Sequence, residues 1–140
     1  ELGADRVETP ETVSDGLDDA DLVVELSGRP ATLDDAIDVV GYDGRIVVGS
    51  WYGSKRAPID LGGRFHRDRI DIVSSQVSTI APDLRGRWDR DRRTNVALDR
   101  LGRIDTDALI THRVPFDRAA EAYDLLDSSP ETAIQVVLEY

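Results

Sequence analysis

A parallel α/β sheet joined by crossover helices is the fold this sequence predicts, and three observations carry it. Residues 22–26 (LVVEL) and 45–49 (RIVVG) are short, nearly continuous apolar runs of the kind that fill strands buried on both faces. Between them, residues 30–44 place apolar side chains at helical spacing. A third run, residues 69–77 (RIDIVSSQV), follows after a longer excursion. Strand, helix, strand and then a longer path to another strand is the order that parallel sheets with crossover connections produce.

The elements follow in order. After an opening Gly-Ala turn, residues 6–8 suit a short strand. The run 22–26 is bounded by Asp21 and by Ser27-Gly28. Pro30 then suits a first helical turn. Leu33, Ala36, Ile37 and Val40 share one face, Asp34, Asp35 and Asp38 take the other, and Gly41 is expected to end the helix. Residues 57–65 (APIDLGGRF) read as a loop, and 85–93 (RGRWDRDRR) as a charged lead into a helix over 95–101, closed by Gly102. Residues 109–140 read as strand, turn, amphipathic helix and closing strand. Asp117 is the expected N-cap, Ala120, Tyr123 and Leu126 share a helix face, and 135–140 form the last strand. No internal repeat or low-complexity segment interrupts the chain.

Composition narrows the function classes. The 140 residues carry 28 acidic and 17 basic side chains, a formal net charge of -11, which argues against nucleic acid as a partner. Lys55 is the single lysine; every other basic residue is arginine. An Asp-rich, Lys-depleted surface stays hydrated where salt screens ordinary repulsion, so a cytoplasmic protein of a salt-accumulating halophile is expected. No apolar run is long enough to span a membrane. No signal peptide is visible, and the absence of Cys excludes disulfides and Cys-ligated zinc within these residues. The chain opens on ELGAD and contains no Met, so a piece of a longer protein is expected.

Five phrases, in register, carry a resemblance. They are ELGAD, DLVVELSGRP, DGRIVVGSWYG, FHRDRIDIVSSQVS and the segment LITHRVPFDRAAEAYDLL. Together the chain resembles the C-terminal portion of medium-chain, zinc-type alcohol dehydrogenases, near the threonine and sorbitol dehydrogenase branch. The resemblance spans essentially all of the sequence. It implies the C-terminal part of a Rossmann-type, doubly wound parallel sheet, which binds a dinucleotide at the carboxyl ends of its strands. Residues 1–78 would be the C-terminal half of the dinucleotide-binding domain. Residues 79–140 would return to pack on a catalytic domain outside this chain.

The resemblance also implies site residues. Ser27, Gly28 and Arg29 would line the adenosine side, with Arg29 over the adenine face. Val48, Gly49 and Ser50 would approach the nicotinamide, with Trp51 nearby, and Trp51-Tyr52 would shape that pocket or the substrate cleft. Ser75 and Gln76 would offer backbone groups to the carboxamide. Gln135 stands where the family often has a basic residue near the pyrophosphate, and a glutamine carries no charge to that place. The residues themselves agree in one respect: each apolar run ends in small or polar side chains, which let backbone approach a ligand. No G-x-G-x-x-G is present, so the phosphate-binding turn, the acidic ribose ligand and the zinc ligands would all precede Glu1. No catalytic or metal-binding residue is assigned within the chain.

Other conspicuous residues have plainer readings. His112 suits a strand-to-turn corner better than a proton relay, and His66 suits a surface or inter-domain position. Two histidines so far apart, without cysteine, make a poor metal site. Arg85, Arg87, Arg90, Arg92 and Arg93 interleave with Asp89 and Asp91, which favours local ion pairs over an anion patch. Asp34, Asp35 and Asp38 read as a solvated helix face. The expected function is therefore a piece of an NAD(P)-dependent, zinc-binding alcohol or polyol dehydrogenase, inactive by itself. Its partners would be a nicotinamide dinucleotide, a small alcohol or carbonyl substrate and further copies of the protein, as a homodimer or tetramer through the sixth-strand edge. A zinc-free quinone or enone reductase on the same fold, or a non-catalytic binding module, are the alternatives.

Overall fold

The computed structural model describes residues 3–9 and 11–140. Two compact units make up the chain, Ala4–Thr79 and Ile80–Tyr140. The first contains α1 (Val13–Gly16), β1 (Ala20–Glu25), α2 (Thr32–Val39), β2 (Val40–Val48), α3 (Arg64–Arg67) and β3 (Asp71–Ser74). The three strands are parallel, in the spatial order β1-β2-β3.

Register sets the layers. Val23, Ile46 and Ile72 lie side by side, and Glu25, Val48 and Ser74 form a row farther along the same face. That face is covered by α2. Leu33, Ala36 and Ile37 of α2 are buried with Val40, Ile46 and Ile70, and Tyr52, Ile59 and Phe65 from the β2–β3 connection pack against them. Three of the four apolar positions read from helical spacing thus lie on α2. The fourth, Val40, is fully buried as the first residue of β2. Leu22 and Val24, on the opposite face of β1, stay 57% and 53% exposed.

The end of α2 differs from the expectation. Gly41 does not terminate it but sits inside β2. Arg64, on α3, donates to the carbonyl oxygens of Asp38 and, at 2.9 Å, Val40. A guanidinium on the last carbonyls satisfies acceptors that a helix end leaves open. β2 is accordingly longer than the 45–49 run, and β3 is shorter than 69–77. Residues 6–8 form no strand; the Arg6 side chain instead donates to the carbonyl of Gly16 at 2.7 Å. In the opening ELGAD phrase, Glu1 and Leu2 lie outside the described residues, and residues 3–5 are not helical.

The second unit contains α4 (Arg90–Leu101), β4 (Ile110–Pro115), α5 (Ala119–Ser128) and β5 (Gln135–Glu139). β4 and β5 pair in parallel. α4 starts before the expected 95 because Asp89 is its N-cap, accepting from the Arg92 amide at 2.7 Å. Asp117 is not the cap of α5. Phe116–Arg118 form a 3-10 turn, and α5 begins at Ala119 without a side-chain cap. Ala120, Tyr123 and Leu126 do share a face, but it is the exposed one; the inward stripe runs through Ala119, Ala122 and Leu125. Phe116 stacks on Tyr140 with ring centroids 4.7 Å apart.

Candidate functional site

The carboxyl ends of β1, β2 and β3 lie next to one another, and the backbone ladder continues past the strands. The amide of Gly49 donates to the carbonyl of Glu25 at 2.9 Å, and that of Ser75 to the carbonyl of Val48 at 2.7 Å. The segments carrying Ser27-Gly28-Arg29, Val48-Gly49-Ser50-Trp51 and Ser75-Gln76 therefore leave the sheet from the same edge. Val48, Ser50, Trp51, Ser75 and Gln76 line one open depression of about 640 Å³, with Tyr52 and Ile72 in its wall. Ser27 belongs to a second groove, of about 510 Å³, shared with Val24, Glu25, Leu26 and Thr32. Trp51 is 88% exposed, so it is held by no core packing.

Gly28 shows why the turn after β1 has its sequence. Its φ is +68°, in the left-handed region, and no atom lies near the place a Cβ would occupy. Glycine is required there for its backbone conformation, since a side chain would cost about 1–2 kcal/mol in that region without any clash. The Gly28 amide donates to Ser50 Oγ at 2.8 Å, and Lys55 Nζ donates to the Gly28 carbonyl at 2.9 Å. The single lysine of the chain thus ties the β2–β3 connection to the β1–α2 turn.

At the centre lies Glu25, which the sequence motifs do not single out as a site residue. It is the last residue of β1 and only 5% exposed. Its Oε1 accepts from the Ser27 amide at 2.7 Å and from Ser27 Oγ at 2.5 Å, with Thr32 Oγ1 at 3.2 Å. Its Oε2 accepts from the Tyr52 hydroxyl at 2.5 Å. The nearby Ser50 hydroxyl also favours its ionised form. Burial pushes the carboxyl up, but the Ser27, Tyr52 and Ser50 hydroxyls outweigh it and hold Glu25 down at about 2. Burial and then the Glu25 carboxylate push Tyr52 up to about 12. At neutral pH the pair is a carboxylate with a neutral phenol donating to it. The local signal for Glu25 in the sequence is an acid interrupting the apolar run LVVEL. Nothing local reveals its partner Tyr52.

The remaining candidates are dispersed. Arg29 is exposed, and its carbonyl accepts from Thr32 Oγ1 at 2.7 Å. Gln76 Oε1 accepts from the Ser78 amide. Gln135 opens β5, and its Nε2 donates to the Val136 carbonyl at 3.1 Å. His112 lies on β4 with Nδ1 3.0 Å from Thr111 Oγ1, and His66 is exposed on α3. In the 85–93 segment Asp89 spends its carboxylate on the helix cap. Arg85 and Arg92 donate to the carbonyls of Ile80 and Arg87, and Arg92 lies 4.6 Å over the Trp88 ring. Asp34 is not merely solvated: it accepts from the Asp60 amide at 2.9 Å. Among the described residues, no group of three or more His, Cys, Asp or Glu is arranged to hold a metal ion.

Neither a family model nor a curated protein matches the chain. Solved structures do match, and they define the class of fold: the C-terminal, Rossmann-like part of zinc-type medium-chain alcohol and polyol dehydrogenases. A thermostable alcohol dehydrogenase from Pyrobaculum aerophilum, solved with cobalt and zinc, matches with a TM-score of 0.70 at 24% identity, over 99% of this chain and 37% of that one. A protein described as a short chain alcohol dehydrogenase from Escherichia coli CFT073, complexed with NADH, gives 0.67 and 22% over 99% and 39%. The 2R,3R-butanediol dehydrogenase of Bacillus subtilis gives 0.64 and 16% over 99% and 37%. This chain therefore spans well under half the length of each structure.

Proposed function

We propose that this chain is the cofactor-facing C-terminal portion of an NAD(P)-dependent oxidoreductase acting on an alcohol or polyol. The observation that carries the reading is the common edge at which the segments after β1, β2 and β3 emerge, beside an open depression with Ser50, Ser75 and Gln76 on its rim. In an open parallel sheet, that edge is where dinucleotides bind. The match to an NADH-complexed dehydrogenase supports the same reading. When bound, the nicotinamide supplies hydride transfer. The chain's own part is to seat it: Ser27, Gly28 and Arg29 on the adenosine side, Val48, Gly49, Ser50 and Trp51 at the nicotinamide, Ser75 and Gln76 at the carboxamide.

The described residues offer no zinc site. In this reading the zinc ligands and the phosphate-binding turn lie in other parts of a longer protein, and these residues alone are inactive. Leu22 and Val24 are the positions against which further parts of that protein would pack. The unit 80–140 would dock on its catalytic domain, and the edge of β3 would join copies into a homodimer or tetramer. The acidic, lysine-poor composition supports a salt-rich cytoplasm as its setting.

Titrating the chain with millimolar NADH and following amide chemical shifts tests the reading. Residues 27–29, 48–51 and 75–76 are expected to shift, with those of β4 and α5 unmoved. Shifts confined to other surfaces would remove the dinucleotide assignment.

A further inference from the structure

We infer that Glu25 is a positioning residue: its carboxylate clamps the turn after β1 to the loop after β2, and so sets the spacing of the two sides of the proposed cleft. The inference rests on the dinucleotide reading for its purpose, but the clamp itself rests on geometry alone.

The two segments have few other means of holding together. Past the Gly49 amide bond to the Glu25 carbonyl, the links between them run through side chains. Oε1 of Glu25 takes the amide and hydroxyl of Ser27, fixing the first residue of the turn. Oε2 takes the Tyr52 hydroxyl from the other segment. Ser50 Oγ adds a direct link from the loop after β2, accepting from the Gly28 amide at 2.8 Å. One side chain thus receives donors from both sides of the gap, at separations in sequence of 2 and 27 residues.

Only an ionised carboxylate suits this place. It is acceptor-only, with room for about four donors, whereas a glutamine would turn an NH2 group toward O–H donors. The low exposure of Glu25 makes an unmet donor or acceptor there costly, and among the described residues no buried side-chain polar atom lacks a partner. Lys55 adds an outer strap from the same loop to the Gly28 carbonyl. Its Nζ is exposed, so it reinforces the clamp without being its centre.

The test is hydrogen exchange, read residue by residue on the full chain, for wild type, Glu25→Gln, Glu25→Asp and Tyr52→Phe. Glu25→Gln is expected to speed exchange at the Ser27 and Gly28 amides about tenfold or more, with Ile46 and Val47 at the centre of β2 unchanged. Glu25→Asp keeps the charge one methylene short and should restore part of the protection. Tyr52→Phe should loosen residue 28 less than the Gln variant does. If Glu25→Gln fails to fold, Tyr52→Phe and Ser50→Ala decide, because each removes one link across the gap and leaves the carboxylate. Unchanged protection at Ser27 and Gly28 overturns the clamp. So does an equal rise at Ile46 and Val47, which would make Glu25 a stability residue without a local role. Adding millimolar NADH to the wild type separates the two readings. Shifts confined to surfaces other than residues 27–29, 48–51 and 75–76 would remove the dinucleotide purpose, while the exchange pattern would still establish or overturn the clamp.

Discussion

Glu25 puts a charge where the sheet would otherwise bury an apolar side chain, and its cost is met by hydrogen bonds from three directions. The sign of its effect on stability follows from its titration. Burial opposes ionisation, yet the donors leave Glu25 titrating at about 2, below the ordinary carboxylate value. The stabilisation is therefore complete above about pH 4.5 and is lost as pH falls toward 2. By the same linkage, Tyr52 favours its neutral form up to about 12, so its share is complete below about pH 10 and is lost above that. Denaturant melts of wild type and Glu25→Gln between pH 2 and 7 should show the wild type losing up to about 3 kcal/mol more than the variant on the acid side. Parallel pH profiles for the two would mean that Glu25 is not held as described. Little of this was legible in the sequence, because a hydrogen-bonded acid inside an apolar run looks the same as an exposed one. The cluster joins residues 25, 27, 32, 50 and 52, and only the register of β1 against β2 brings them together.

The elements follow from local pattern where one face is buried, and depart from it where a distant side chain intervenes. Leu33, Ala36 and Ile37 mark α2 because the sheet beneath selects that stripe. Its end was not legible, since Arg64 comes from a helix 25 positions later than Val39 in the chain. On α5 the sequence offers two apolar stripes, and the smaller side chains face inward: Ala122 is buried and Tyr123 is 69% exposed. Close approach to β4 and β5 favours alanine there, which periodicity alone does not tell. Asp117 lost its expected capping role to the 3-10 turn at Phe116–Arg118. Packing at β2 gives the sharpest prediction at this scale. Ile46 is fully buried, so Ile46→Ala should cost about 2–5 kcal/mol through lost burial and a residual cavity. Tyr123→Ala, on an exposed face, should stay within about 0.5 kcal/mol. Equal urea midpoints for the two variants would contradict this placement of the core.

At the scale of the molecule, the three-stranded sheet of residues 4–79 has one face covered by α2 and the other carrying exposed Leu22 and Val24. Parallel sheets are ordinarily covered on both faces. That asymmetry suits a chain that matches little more than a third of each dehydrogenase structure. The parallel sense of the strands was legible in the alternation of apolar runs and helical spacing, whereas the place of the site segments at their carboxyl ends was implied by the resemblance and not by that pattern. Charge adds a second property of the whole. With a net charge of -11 and exposed Arg–acid pairs such as Arg45–Asp71 and Arg103–Asp99, screening of repulsion should outweigh the loss of pairs worth little each. Circular dichroism melts should show the fold loosening at low KCl and tightening at multimolar KCl; equal stability at both would sink the salt-adapted reading. The central claim, that these residues are one part of a zinc-type dehydrogenase, is tested most directly by reading the gene upstream of Glu1. The account predicts a strand ending in G-x-G-x-x-G, preceded by a cysteine and a His-Glu zinc pattern. A start codon close to Glu1, with no such motifs, would contradict it.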